Sequence, residues 1–239
     1  MALLQSYWYL RSTPDESKLA EWDDSVVLDG PITCAAHPEH QRAGKRLSDL
    51  SVAIAPKVDD FVWTWQSDCL VQEHVVALFR KARVTGFDPR PVSAHFRRAR
   101  SASNPPVVPK LQELVVTGWG GVLPPSTGVQ LASEESCTCC GLLKYTGVQN
   151  TSTFADDIQW DGSDIFMIWP YPRYRFVTDR VADLIRSHEL TGVVLRNASG
   201  FADDLRSRNL ASPDVSPGRL SYWMPEARAK ALGVPLGIY

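Results

Sequence analysis

The chain has 239 residues, 44% of them hydrophobic, which suffices for one large domain or two small ones with a real core. Its net charge of −2 argues against a protein recruited to nucleic acid or to membranes by a strong global field. No apolar run approaches the about 20 residues that span a bilayer. The N-terminus also lacks the apolar segment of a signal peptide, so we expect a cytoplasmic protein.

The first part of the chain predicts short strands separated by turns. Aromatic residues favour a strand over 6–11, and apolar runs favour strands over 26–28 and 50–54. Between the last two, Asp29-Gly30-Pro31 predicts a turn. This turn leads into a Cys-x-x-His pair.

A strand–helix–strand unit then occurs twice. Helices are predicted over 72–82 and 178–188, and each is followed by a Thr-Gly pair, Thr85-Gly86 in the first copy and Thr191-Gly192 in the second. The offset between these pairs aligns the two copies without a gap, including Trp63 with Trp169. Chance similarity of two amphipathic helices is the alternative, but the matching Thr-Gly pairs favour a duplication.

The duplication gives a definite expectation for the fold. Segments 61–92 and 167–198 should superpose, with Leu78 and Leu184 buried on the same helix face. We expect an α+β fold, with mostly antiparallel sheets, a duplicated strand–helix–strand unit and a zinc-knuckle-like insertion. The chain should form one domain, 1–239, made of two pseudo-repeated halves of approximately 1–104 and 105–239.

Three of the five cysteines, which are potential metal ligands, lie within the segment Cys137-Thr138-Cys139-Cys140-Gly141. Cys137 and Cys140 have the spacing of one knuckle of a tetrahedral zinc site, and Gly141 can adopt the positive φ that turns the chain beneath a metal. Cys34-Ala35-Ala36-His37 repeats the spacing upstream. The sequence therefore predicts a structural zinc ion held by Cys34, His37, Cys137 and Cys140.

Some ligand assignments remain open. His40 and Cys139 are spare ligands that could replace His37 or Cys140. A redox role for the Cys-x-x-Cys pair is disfavoured, because such motifs open a helix and the residues around Gly141 do not predict one. Cys69 fits a small buried hydrophobic residue better than a ligand. The odd count of five cysteines argues for reduced thiols rather than a paired disulfide framework.

The two Cys/His pairs and the repeated Thr-Gly element give the chain a family resemblance. It resembles the double-CXXCG-motif proteins of myxobacteria and related genomes, a group associated with immunity to polymorphic toxins. Cys137 to Gly141 matches the motif, whereas His37 and Pro38 replace the second cysteine and the glycine of the first motif. The resemblance implies a protein that binds and neutralises a cognate toxin domain inside the producing cell.

Two other function classes remain as alternatives. A zinc-dependent enzyme would need three protein ligands and an open metal position, and a zinc-ribbon nucleic-acid binder would need a basic face. The chain contains no nucleophile-elbow, P-loop, His-Glu-x-x-His or dinucleotide-binding motif, so we expect no enzymatic activity. We expect a toxin domain as partner, and neither membrane nor nucleic acid. The acidic run from Asp15 to Asp29 is either a face for a basic toxin or an ordinary solvated surface.

Overall fold

The computed structural model describes residues 6–97, 107–151, 159–208, 214–215 and 220–238. The fold is α+β, as expected, with two mixed sheets. In spatial order, the first sheet consists of β2 (Glu21–Trp22), β5 (Leu50–Ile54), β8 (Phe87–Phe96), β9 (Leu111–Val116), β7 (Cys69–Gln72) and β6 (Phe61–Trp63). The second sheet consists of β10 (Gly118–Val122), β12 (Ile165–Trp169), β13 (Arg175–Thr178), β1 (Tyr7–Ser12) and β14 (Val193–Asn197).

Most neighbouring strands run antiparallel. The pairs β5–β8 and β10–β12 are parallel. Two small strand pairs lie outside the main sheets: β3 (Ile32–Thr33) with β4 (Gln41–Arg42), and β11 (Leu143–Lys144) with β15 (Asp214–Val215). The mostly antiparallel architecture agrees with the short connections that the sequence predicts.

The two predicted repeat helices form within one residue of their expected bounds. They are α1 (Glu73–Lys81) and α2 (Asp179–Ser187). Two further helices are α3 (Phe201–Ser207) and α4 (Glu226–Gly233). No helix in the described part of the chain combines the length and apolar character needed to cross a membrane.

The two repeat helices pack equivalent faces into one shared hydrophobic core. Phe79 of α1 and Ile185 of α2 are buried in a cluster that also takes side chains from both sheets. Leu78 and Leu184, expected to be buried on the same helix face, are half-buried and pack against the edge of this cluster. A shared core of this kind holds the two sheets together by removing apolar surface from water.

The structure corrects the gap-free alignment of the copies. Phe61 of β6 pairs with Val71, whereas Ile165 of β12 pairs with Val177. Ile165 is therefore the equivalent of Phe61, and the second hairpin has two more residues between its paired ends than the first, since β12 is two residues longer than β6. Trp63 thus corresponds to Met167, not to Trp169.

The two copies also exchange a strand. β9 pairs with β7, with Leu111 opposite Gln72, and β1 pairs with β13 in the same way, with Tyr7 opposite Thr178. Each sheet therefore contains one internal strand from the other half of the chain. The boundary expected near residue 104 lies outside the described residues.

The repeated Thr-Gly pairs make reciprocal contacts between the copies. The N–H and hydroxyl of Thr191 donate to Asp60 Oδ2 at 2.7 and 2.8 Å. The N–H and hydroxyl of Thr85 donate to Asp164 Oδ2 at 2.9 and 3.1 Å. Each copy therefore fixes the helix exit of the other through charge-assisted hydrogen bonds, which are stronger than neutral ones.

The glycine of each pair is required by a close backbone approach. Gly86 and Gly192 have φ values of 85° and 79°. A Cβ atom at Gly86 would lie 1.9 Å from the carbonyl oxygen of Ile165, and one at Gly192 would lie 2.0 Å from that of Phe61. The Thr-Gly signal in the sequence thus marks an inter-copy contact rather than only a helix end.

Candidate metal centre

Two hairpin arms converge on the cysteine cluster. The first arm, residues 26–48, has one continuous register: Leu28 bridges Arg46, Ile32 pairs with Arg42, and Thr33 pairs with Gln41. Continuing this register by one residue places Cys34 opposite His40 at the end of the hairpin. The antiparallel ladder therefore selects His40, and not His37, as the partner of Cys34.

The second arm, residues 131–145, contains the Cys-x-x-Cys-Gly motif at its tip. Leu131 bridges Tyr145, and Cys137 bridges Leu142. The N–H of Gly141 donates to the carbonyl oxygen of Cys137 at 2.9 Å, and Gly141 has the positive φ of 73° that the motif predicts. This tight turn directs both knuckle cysteines towards the first arm.

Four side chains from the two arms form one cluster. Their ligand atoms all lie within 4.8 Å of one another, and the residues are Cys34, His40, Cys137 and Cys140. Cys34 Sγ lies 3.6 Å from Cys137 Sγ, and Cys140 Sγ lies 3.7 Å from His40 Nδ1. In a tetrahedral zinc site with bonds of about 2.3 Å to sulfur and about 2.0 Å to nitrogen, two sulfur ligands lie about 3.8 Å apart, and a sulfur and a nitrogen ligand lie about 3.5 Å apart. The cluster could therefore hold a metal ion.

The sulfur atoms are not bonded to each other. All five cysteines are free, and 3.6 Å far exceeds the about 2.05 Å of a disulfide. Cys34 and Cys137 are buried, Cys140 is half-buried and Cys139 is exposed. Cys69 is fully buried in the core, as its sequence context predicts.

The surroundings shift the pKa values of the two buried thiols in opposite directions. The backbone N–H of Cys140, with further donors from His40 and Cys139, lowers the pKa of the Cys137 thiol to about 6, although burial opposes this. Burial raises the pKa of the Cys34 thiol to about 11. Backbone donors directed at Cys137 Sγ stabilise a thiolate, which is the form that ligates metals.

The structure places three of the four predicted ligands in the cluster, with His40 in the position expected for His37. Cys34, Cys137 and Cys140 converge as expected, but His37 lies outside the four-residue cluster and its side chain is 51% exposed. His37 Nδ1 lies 3.4 Å from Glu39 Oε1, and His40 Nε2 lies 4.0 Å from the same oxygen. Nδ1 is the ring nitrogen of His40 that faces the cluster, where it lies beside Cys140 Sγ. His40 was a spare ligand in the sequence, and only the hairpin register could have selected it.

The Cys/His cluster joins equivalent parts of the two copies. The first arm lies between β1 and β6, and the second arm lies between the corresponding strands β9 and β12. The fold and site thus define a duplicated α+β protein with a Cys3His cluster at the junction of its copies. No protein-family model matches the chain, and no curated protein matches it.

Proposed function

We propose that this chain is an immunity protein that binds and neutralises a cognate toxin domain, with a structural zinc ion held by Cys34, His40, Cys137 and Cys140. The observation that carries the proposal is the convergence of Cys34 and His40 from the first arm with Cys137 and Cys140 from the second arm on a single cluster. A two-part ligand set of this kind supports the resemblance to double-CXXCG-motif immunity proteins, while the Cys34–His40 spacing departs from the first CXXCG motif.

The ligand set supports a structural rather than a catalytic zinc. Three thiols and one imidazole supply four protein ligands, which is the number of a closed structural site, whereas catalytic sites keep a position for water. A closed metal offers no position for substrate activation. The proposal therefore assigns the protein a binding role without turnover, in the cytoplasm, where thiols stay reduced.

Co-expression tests the proposal. The toxin domain encoded beside this gene should arrest a sensitive host, and the wild-type chain should restore growth and form a stable complex with that domain on gel filtration. A chain carrying Cys137→Ser should lose zinc and protect less well, and Cys139→Ser is the matched control. If the wild-type chain neither binds the toxin domain nor protects the host, the immunity proposal is refuted, whatever the zinc content of the chain.

A further inference from the structure

The base of the first arm exposes two apolar side chains to solvent. Val27 is 53% exposed and Leu47 is 62% exposed. The N–H of Leu47 donates to the carbonyl oxygen of Val27 at 2.8 Å, and the register of the arm places these residues directly opposite each other. Directly opposed side chains in an antiparallel pair lie on the same face, about 5 Å apart. Val27 and Leu47 therefore form one continuous apolar patch.

The arm that carries this patch is held in place by its other side chains. Arg46 Nη2 lies 2.5 Å from both carboxylate oxygens of Glu113 on β9, and both side chains are largely buried. Lys45 Nζ lies 2.7 Å from Glu226 Oε2 at the start of α4. The cysteine cluster holds the tip of the arm. A surface fixed in this way loses little conformational entropy when a partner docks.

Exposed acidic residues neighbour the patch in the sequence. Asp24 and Asp29 flank Val27 in sequence, and Asp49 follows Leu47; all three are exposed. Among the described residues, no ion pair is formed by Asp24, Asp29 or Asp49. The nearby cations Lys45 and Arg46 are already paired. The patch thus has an apolar centre and a negative rim, the anatomy of a protein-binding surface with a defined electrostatic preference.

We propose that the patch formed by Val27 and Leu47, with its rim of Asp24, Asp29 and Asp49, docks a protein domain with a basic surface. This inference rests on the proposed function and deepens it, because the partner is then the toxin domain. An apolar side chain of the toxin contacts Val27 and Leu47, and its Lys and Arg side chains face the rim. The metal centre contributes indirectly by fixing the arm that presents the patch.

The first experiment tests whether the toxin domain binds at the patch rather than elsewhere on the surface. The probe is the toxin domain encoded beside this gene, in an inactive form, and its Kd is measured for the wild-type chain, Leu47→Asp and Val107→Asp. Val107 is an exposed valine outside the patch and serves as the matched control. Leu47→Asp should weaken binding about tenfold or more, since it places a charge at the centre of the interface. Val107→Asp should stay within about twofold, as surface substitutions outside interfaces do.

The second experiment tests the electrostatic part of the proposal. The double variant Asp24→Lys/Asp49→Lys should associate about tenfold more slowly at low salt and show a weaker salt dependence of the association rate. Glu134→Lys, at an exposed acidic residue of the second arm, is the control. Zinc content and thermal melting must match the wild type before either comparison is made.

Each outcome is decisive. If the wild-type chain binds the toxin domain and Leu47→Asp binds equally well, the patch assignment is wrong while the immunity function stands. If the wild-type chain does not bind, the proposed function fails and this inference fails with it. If the wild-type chain alone sediments as a dimer that Leu47→Asp dissociates, the patch is a self-association surface and the docking proposal is overturned.

Discussion

Removal of zinc gives the sharpest test of the metal centre. A metal ion that binds only the folded chain stabilises it according to the ratio of free metal concentration to Kd. With free zinc buffered about a thousandfold above Kd, the free energy of unfolding should rise by about 4 kcal/mol. For a chain of this length, this corresponds to a rise in Tm of roughly 8–16 °C.

The structure explains why this increment should be large and should come from the cluster alone. The Sγ–Sγ distance of 3.6 Å and the Sγ–Nδ1 distance of 3.7 Å already match the edges of a zinc tetrahedron, so binding requires little rearrangement. The two sheets share one core and each has a further apolar cluster of its own, and none of these includes Cys34, Cys137 or Cys140. The metal-free chain should therefore keep both sheets and remain measurable by urea unfolding.

The assay compares urea unfolding in buffered zinc and in chelator. The wild-type chain should show the full difference, and Cys137→Ser should show none. Cys139→Ser, which changes an exposed cysteine outside the cluster, should keep the difference to within about 0.5 kcal/mol. Equal stability of the wild-type chain in zinc and in chelator would refute the reasoning.

Three further outcomes are expected. His40→Ala should weaken zinc affinity by tenfold or more, whereas His37→Ala should change it by less than about threefold, as measured by competition with a chelator; the reverse order would restore His37 as the ligand. Burial opposes ionisation of Asp60, but hydrogen bonds from Thr191 and the adjacent His74 lower the pKa of its carboxyl. Its contribution to stability is therefore complete above the unfolded pKa of about 4 and is lost as the pH falls through the folded value, so Asp60→Asn should flatten the acid limb of urea unfolding between about pH 5 and 2. Gly86→Ala and Gly192→Ala should each cost more than about 2 kcal/mol in urea unfolding, because each adds a Cβ against backbone at a positive φ; a neutral effect at either position would contradict the inter-copy contact.

The sequence by itself determined the two repeat helices, the turn at Gly141 and most of the side chains of the Cys/His cluster. Apolar periodicity predicted α1 and α2 to within one residue, because a helix packed on a sheet needs buried residues every three or four positions. The Cys-x-x-Cys-Gly motif predicted its own turn, since Gly141 alone allows the required φ. Three of the four clustered side chains followed from spacing alone.

The tertiary structure decided everything that depends on residues far apart in the chain. His40 rather than His37 lies in the cluster because the pairing of β3 with β4 sets which residue faces Cys34, and Cys-x-x-His spacing contains no information about that register. The two additional residues of the hairpin formed by β12 and β13 are likewise visible only in strand pairing. The exchange of β1 and β9 and the contacts of Asp60 and Asp164 with the opposite Thr-Gly pairs arise between segments separated by tens of residues or more. Their partners are chosen by the shared core, whose burial no local pattern encodes.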